Sequence, residues 1–278
     1  MNKNIEFYSD LKNLIIKNVL NIPKGKIDNM YDSWIKNKDE SGTKTNFVFS
    51  DELISENQKI PKNVTVKGID LPSWFGNYNN KKIVVLGIDP LRDEKTFKKE
   101  NNADIYKDVI IGTPYSLNVK DERDSNSAKY WAFVDGLVQT NYFVYCTDIY
   151  KTYYFDKLNE TRSYNDSDYT KNRNHRDLLI AELELIKPDL IITLVSIAHT
   201  KLLMKKCPTI SQSILSTKSF IELNAQKVDV YTMMHLGNSR GRNMKKFFDA
   251  NGIDTSSINT EKKVDCAKKY IELLKNIT

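Results

Sequence analysis

Four apolar runs, Ile83–Ile88, Tyr142–Ile149, Leu190–Val195 and Val228–Met234, constrain this chain more than any other feature. Each is nearly continuous and rich in β-branched residues, whereas a strand with one wet face alternates apolar with polar. Runs of this kind must be covered on both sides. Helical periodicity in the intervals supplies the cover. "SAKYWAFVDGLVQ" precedes the second run and "HRDLLIAELELIKPD" the third, which "SIAHTKLLMKK" follows. "MKKFFDANG" and "DCAKKYIELLKN" follow the fourth. Strands joined by helical crossovers predict an α/β fold, a three-layer α/β/α sandwich around a central, mostly parallel, four-stranded sheet. "SFIELNAQKVDVYTMM" adds a hairpin into the fourth strand, with its turn at Asn224–Lys227.

Residues 1–70 read differently. One amphipathic helix, about Ile5–Leu20, precedes polar, Lys- and Asn-rich sequence with few strong signals. The expectation is a helical extension over 1–70, packed on a domain spanning 71–278. The apolar runs are far too short to cross a bilayer, and "MNKNIEFYSDLK" holds no apolar signal region. A cytoplasmic protein without membrane attachment is expected. Cys146, Cys207 and Cys266 are odd in number and scattered, which fits packing thiols better than a disulfide framework or a metal site.

The net charge of +6 permits a polyanionic partner without demanding one. Its distribution says more: Arg240, Arg242, Lys245 and Lys246 bring four cations and no acid into one window just after His235. In open parallel sheets, ligands bind beyond the carboxyl ends of the strands, which singles out Asp89, Asp148 and His235. Asp89 is either a cap or a reagent; alone, an Asp-Pro after a strand is most often a turn.

Four short motifs, in order over about residues 80–250, resemble those of the uracil-DNA glycosylase superfamily. "GIDPL" (Gly87–Leu91) is similar to the family's water-activating Gly-Gln-Asp-Pro-Tyr, and "GTPYSL" (Gly112–Leu117) to its base-stacking Gly-Leu-Cys-Phe-Ser-Val. "VYCTDIYK" (Val144–Lys151) is similar to the strand that ends in a base-reading asparagine. "HLGNS" (His235–Ser239) stands where the family has His-Pro-Ser, and "RNMKKFF" then opens a helix.

The resemblance implies a monofunctional DNA glycosylase that flips out a base and hydrolyses its N-glycosidic bond, leaving an abasic site, with no metal or cofactor. It assigns catalysis to Asp89 and His235. The carboxylate orients a water and stabilises positive charge on the sugar; the imidazole stabilises the departing base. The base pocket falls to Gly87, Ile88, Leu91, Tyr115 and Asp148, with Tyr115 stacking on the base and Asp148 reading its edge. Asn238, Ser239, Arg240, Arg242, Lys245 and Lys246 become DNA contacts, the cations gripping phosphates beside the flipped nucleotide.

Three departures from the family bear on the substrate and the DNA contacts. Leu91 replaces the tyrosine that crowds the base's 5-carbon, so a substituent there fits. Asp148 replaces the base-reading asparagine. An ionised carboxylate only accepts, which suits the exocyclic amine of cytosine and repels the carbonyl of uracil. Leu236 follows the histidine where the family has a proline, and Arg240 could fill the space of the family's DNA wedge. The expected substrate is a 5-modified cytosine, hydroxymethylated or glucosylated as in some phage genomes, and phage defence is the expected role. The alternatives are a conventional uracil or thymine glycosylase of base-excision repair and a DNA-binding module without catalysis. A nucleotide-binding protein is a third, although "VVLGIDPL" lacks both the Gly-x-Gly-x-x-Gly loop and the Walker lysine. Double-stranded DNA is the expected partner and a monomer the expected state. The Tyr-rich Ile149–Asp156 is expected to pack, His199 to be a hydrogen-bonded core histidine, and His175 a surface residue at a helix start.

Overall fold

A computed structural model describes residues 1–3, 5–43, 46–56, 64–90, 102–104, 107–156, 174–207, 219–237, 241–256, 259 and 262–275. Over them the chain is mixed α/β, with two sheets and eight α-helices. It begins with α1 (Tyr8–Asn18) and α2 (Lys24–Lys36). Strands β1 (Phe47–Ser50), β2 (Val64–Asp70), β3 (Ser73–Phe75), β4 (Lys81–Gly87) and β5 (Asp108–Gly112) follow. Helices α3 (Lys120–Asp124) and α4 (Ala128–Gln139) lead to β6 (Tyr142–Asp148) and β7 (Thr152–Asp156). Next come α5 (Asn174–Ile186), β8 (Leu190–Thr193) and α6 (Ser196–Leu203). Strands β9 (Ser219–Leu223) and β10 (Gln226–Thr232) precede α7 (Gly241–Ala250) and α8 (Lys263–Lys275). No helix among the described residues is long and apolar enough to cross a membrane.

Two compact units share these elements. Met1–Ser73, Asp89–Lys120 and Thr147–Ile186 form the first; Trp74–Ile88, Asp121–Cys146 and Lys187–Thr278 form the second.

The second unit carries a six-stranded sheet in the order β3-β6-β4-β8-β10-β9. The four apolar runs are its four inner strands. The sheet is wider than the four strands expected, because β3 extends one edge and the hairpin strand β9 the other. At three residues, β3 is too short to leave a periodic signal. Strand β8 runs parallel to both β4 and β10, while β9 pairs antiparallel with β10. Burial is continuous from Ile83 along β4 and through all of β8, as strands covered on both faces require. In the hairpin Leu223 pairs with Gln226, so Asn224 and Ala225 alone make the turn, at φ 46° and 64°. Positive φ at both positions suits a two-residue hairpin turn, whose twist then matches the strands. Strand β10 therefore starts at Gln226, inside the segment expected to be turn.

Helix α4 packs against α8 in this unit. Gly136 makes the approach possible, since a Cβ there would stand 1.9 Å from Ile271 Cδ1. Around it Phe133, Phe247 and Phe248 each meet the Tyr270 ring in tilted, edge-type contacts.

The first unit holds a second sheet, β1-β5-β2-β7, that the sequence pattern does not announce. Strand β5 runs parallel to β2 and antiparallel to β1, and β7 runs antiparallel to β2. Its central strand "VTVKGID" is interrupted by Lys67 and Gly68, where the pairing with β7 also shifts register. The Tyr-rich run forms the turn into β7 and the strand itself, with Tyr150 and Tyr153 buried as packing residues. Helix α1 packs on α2 and α5. Asp28 of α2 clasps it, accepting from Tyr8 Oη at 2.8 Å and from Lys12 Nζ at 2.8 Å on each oxygen. Residues 1–70 thus contain a second helix and two strands as well as the amphipathic α1.

Candidate functional site

Because β4, β8 and β10 are parallel, their carboxyl ends lie along one edge of the second unit's sheet. Leu86, Thr193 and Thr232 form one row across them. His235 follows this row three residues past Thr232. Gly87 is buried and closes β4, Ile88 is half-buried, and the next residue is Asp89, three past Leu86. Asp89 is half-buried and belongs to the first unit.

His235 is held from both sides of its ring. Gly237 N–H donates to Nδ1 at 3.2 Å, and Nε2 lies 2.9 Å from Tyr130 Oη. Burial keeps the imidazole below the ordinary histidine pKa, and the nearby Lys129 ammonium adds to the effect. The ring is therefore neutral at pH 7. With Nδ1 accepting, its one proton sits on Nε2. A Cβ at Gly237 would stand 2.7 Å from Tyr130 Oη and 2.8 Å from His235 Cε1, so any larger residue here would push the two rings aside. Tyr270 Oη donates to Met234 O at 2.5 Å and steadies the segment. His199 is the buried, hydrogen-bonded histidine expected, its Nδ1 2.6 Å from Thr232 Oγ1.

In the first unit β5 ends at Gly112 and a tight turn follows. Within it Tyr115 and Ser116 take φ 58° and 53°. The left-handed region costs a non-glycine residue about 1–2 kcal/mol, and persists where the surroundings enforce it, often at functional sites. The enforcement is visible. Thr113 Oγ1 donates to Asn118 Oδ1 at 2.5 Å, Ser116 N–H to Thr113 O at 2.9 Å, and Pro114, Leu117 and Asn118 are buried. Tyr115 itself is half-buried.

Asp148 ends β6 and is 3% exposed. The residues around it are clamped. Buried Lys151 donates from Nζ to Thr147 Oγ1 and pairs with buried Glu182 of α5, 2.5 Å from Oε2. Lys151 N–H donates to His175 Nδ1 at 3.4 Å. Asp148 therefore sits in a turn tied to α5 by an ion pair and a hydrogen bond.

His175 corrects an expectation: it is 2% exposed, not a surface residue. It starts the buried stripe His175, Leu178, Leu179, Glu182, Leu183, Ile186, whose three- and four-residue steps keep one face of α5 inward. Burial, helped by the Lys151 cation, lowers its pKa from 6.5 to about 4. The unfolded chain then binds a proton that the folded chain refuses. The stability this group supports is complete above pH 6.5 and is lost as pH falls towards 4, by roughly 3 kcal/mol between pH 7 and 4. Urea unfolding across that range should show His175→Asn losing less stability than the parent, by about that amount.

Asp89, Tyr115 and Asp148 thus belong to the first unit, and Gly87, Ile88, His235, Lys245 and Lys246 to the second. Lys245 and Lys246 are exposed on α7, while Met244, Phe247 and Phe248 are buried. Arg242 falls within α7; Leu91, Asn238, Ser239 and Arg240 lie outside the described residues. All three cysteines are free thiols, two of them buried. No group of three or more His, Cys, Asp or Glu among the described residues could hold a metal ion. Sequence reasoning missed Glu182, His175 and Tyr130 as partners of the expected residues. Glu182 did carry a signal, a carboxylate inside an apolar helical stripe; Tyr130 shares its stripe with Phe133, Val134 and Leu137 and reads as plain core. Compared with known proteins, the sequence matches no family model and no curated protein.

Proposed function

We propose that this protein is a monofunctional DNA glycosylase that turns a 5-modified cytosine out of double-stranded DNA, hydrolyses its N-glycosidic bond and leaves an abasic site. The observation that carries this reading is the setting of His235: an imidazole kept neutral by burial, its Nδ1 accepting from Gly237 N–H, just past the carboxyl end of β10. A departing base gathers negative charge, which a fixed neutral donor stabilises without giving up its proton. Asp89 orients the attacking water and stabilises the positive sugar. Tyr115, on its strained turn, stacks on the flipped base, and Asp148 accepts from the exocyclic amine of cytosine. The parallel strands β4, β8 and β10 support a three-layer α/β/α arrangement of the superfamily type, widened to six strands. The exposed Lys245 and Lys246 suit phosphate contacts. A cytoplasmic monomer acting on invading phage DNA completes the proposal.

Matched duplexes carrying uracil, cytosine, hydroxymethylcytosine or its glucosylated form test the substrate. We expect a modified cytosine to be excised at least ~100-fold faster than uracil, because a site built to accept from an amine is left with opposed acceptors by a carbonyl. Asp148→Asn should move the preference towards uracil. Preference of the parent protein for uracil would contradict the substrate assignment and return the conventional repair enzyme.

A further inference from the structure

Tyr130 reaches His235 from α4, an element that carries none of the expected site residues. Its Oη is 2.9 Å from Nε2, and the two rings lie 5.6 Å apart at 54°. The tyrosine is 8% exposed and shares its helix face with Phe133, Val134 and Leu137, so its ring has little freedom to move. Burial pushes the phenol above the ordinary tyrosine pKa, and it stays neutral. Lys129 Nζ lies 5.0 Å from the same ring and discourages a second cation nearby. An imidazole that faces an N–H donor at Nδ1 and a neutral oxygen at Nε2 has one favoured neutral tautomer.

We infer that Tyr130 is a positioning residue, which together with Gly237 fixes the His235 ring with Nε2 as its hydrogen-bond donor. This rests on the glycosylase reading: the phenol oxygen holds the place of the acceptor that the departing base supplies. The departing base then shares the Nε2–H with the phenol oxygen, and the proton stays on Nε2 throughout.

Tyr130→Phe keeps the ring and removes the oxygen. The imidazole nitrogen shifts of His235, assigned by comparison with His235→Gln, report the tautomer in the free protein. We expect one Nε2–H tautomer in the parent and a mixture in Tyr130→Phe. We also expect kcat for base excision to fall about ten- to a hundredfold with KM unchanged, the size found when the partner that orients a metal-ligating histidine is lost. Unchanged nitrogen shifts overturn the inference whatever the rate does, and altered shifts with unchanged kcat overturn it too. Should neither protein excise any base, the glycosylase reading falls, and the nitrogen shifts alone then uphold or overturn the hold of Tyr130 on the ring.

Discussion

Lys151→Met lowers folding stability by about 3–5 kcal/mol, because it leaves the Glu182 carboxylate in the core without its cation. Glu182 is 1% exposed and Lys151 3%, so water cannot take over from the lost partner. The Nζ bond to Thr147 is lost in the same step, which loosens the turn that presents Asp148. Urea unfolding at neutral pH measures the cost. The double variant Lys151→Met/Glu182→Leu should recover most of it. Leu11, Leu14, Ile15 and Leu178 line the space beside the pair, with buried Asp70 as its other carboxylate, and apolar side chains often replace a buried ion pair without loss. The two sites then show strong coupling, as contacting residues do. A single-variant loss below about 1 kcal/mol would mean the pair is solvated, and would remove the clamp from the account.

Asp89→Asn lowers kcat for base excision by about 10²–10⁴-fold, with stability nearly unchanged. Asparagine caps helices and starts Asx turns as readily as aspartate does, so a residue that only shapes the chain survives the exchange. A residue that must carry negative charge beside a developing cation does not. The two meanings of an acid at a strand end are separated by this one substitution. Equal rates in Asp89→Asn and the parent would make Asp89 a turn former and nothing more.

How much of this was legible depended on burial and length. Strands β4, β6, β8 and β10 could be read because most of each strand is buried, which leaves nearly continuous apolar runs. The second sheet left no such mark. Strand β1 is only four residues, alternately half-buried and exposed, and β2 is broken by Lys67 and Gly68. Their pairing is fixed by tertiary contacts, which local pattern does not encode. Strand ends told where to look for Asp89, Asp148 and His235, since parallel sheets put ligands there. The residues that hold them stayed hidden because they lie far off in sequence. Glu182 stands 34 positions from Asp148 and Tyr130 stands 105 from His235, each on a helix whose apolar stripe looks like ordinary core. His175 was misread for a related reason. A histidine at a helix start looks solvated until the stripe is followed to Ile186.

The most direct measurement follows the base itself. The purified protein is incubated with phage DNA carrying glucosylated hydroxymethylcytosine and with unmodified DNA, and whatever is released is identified by mass. Free modified base is expected from the first DNA only, with one alkali-labile site for each base released, and Asp89→Asn should form both products about 10²–10⁴-fold more slowly. No free base from either DNA, or release of the modified residue still joined to its sugar, would contradict the account.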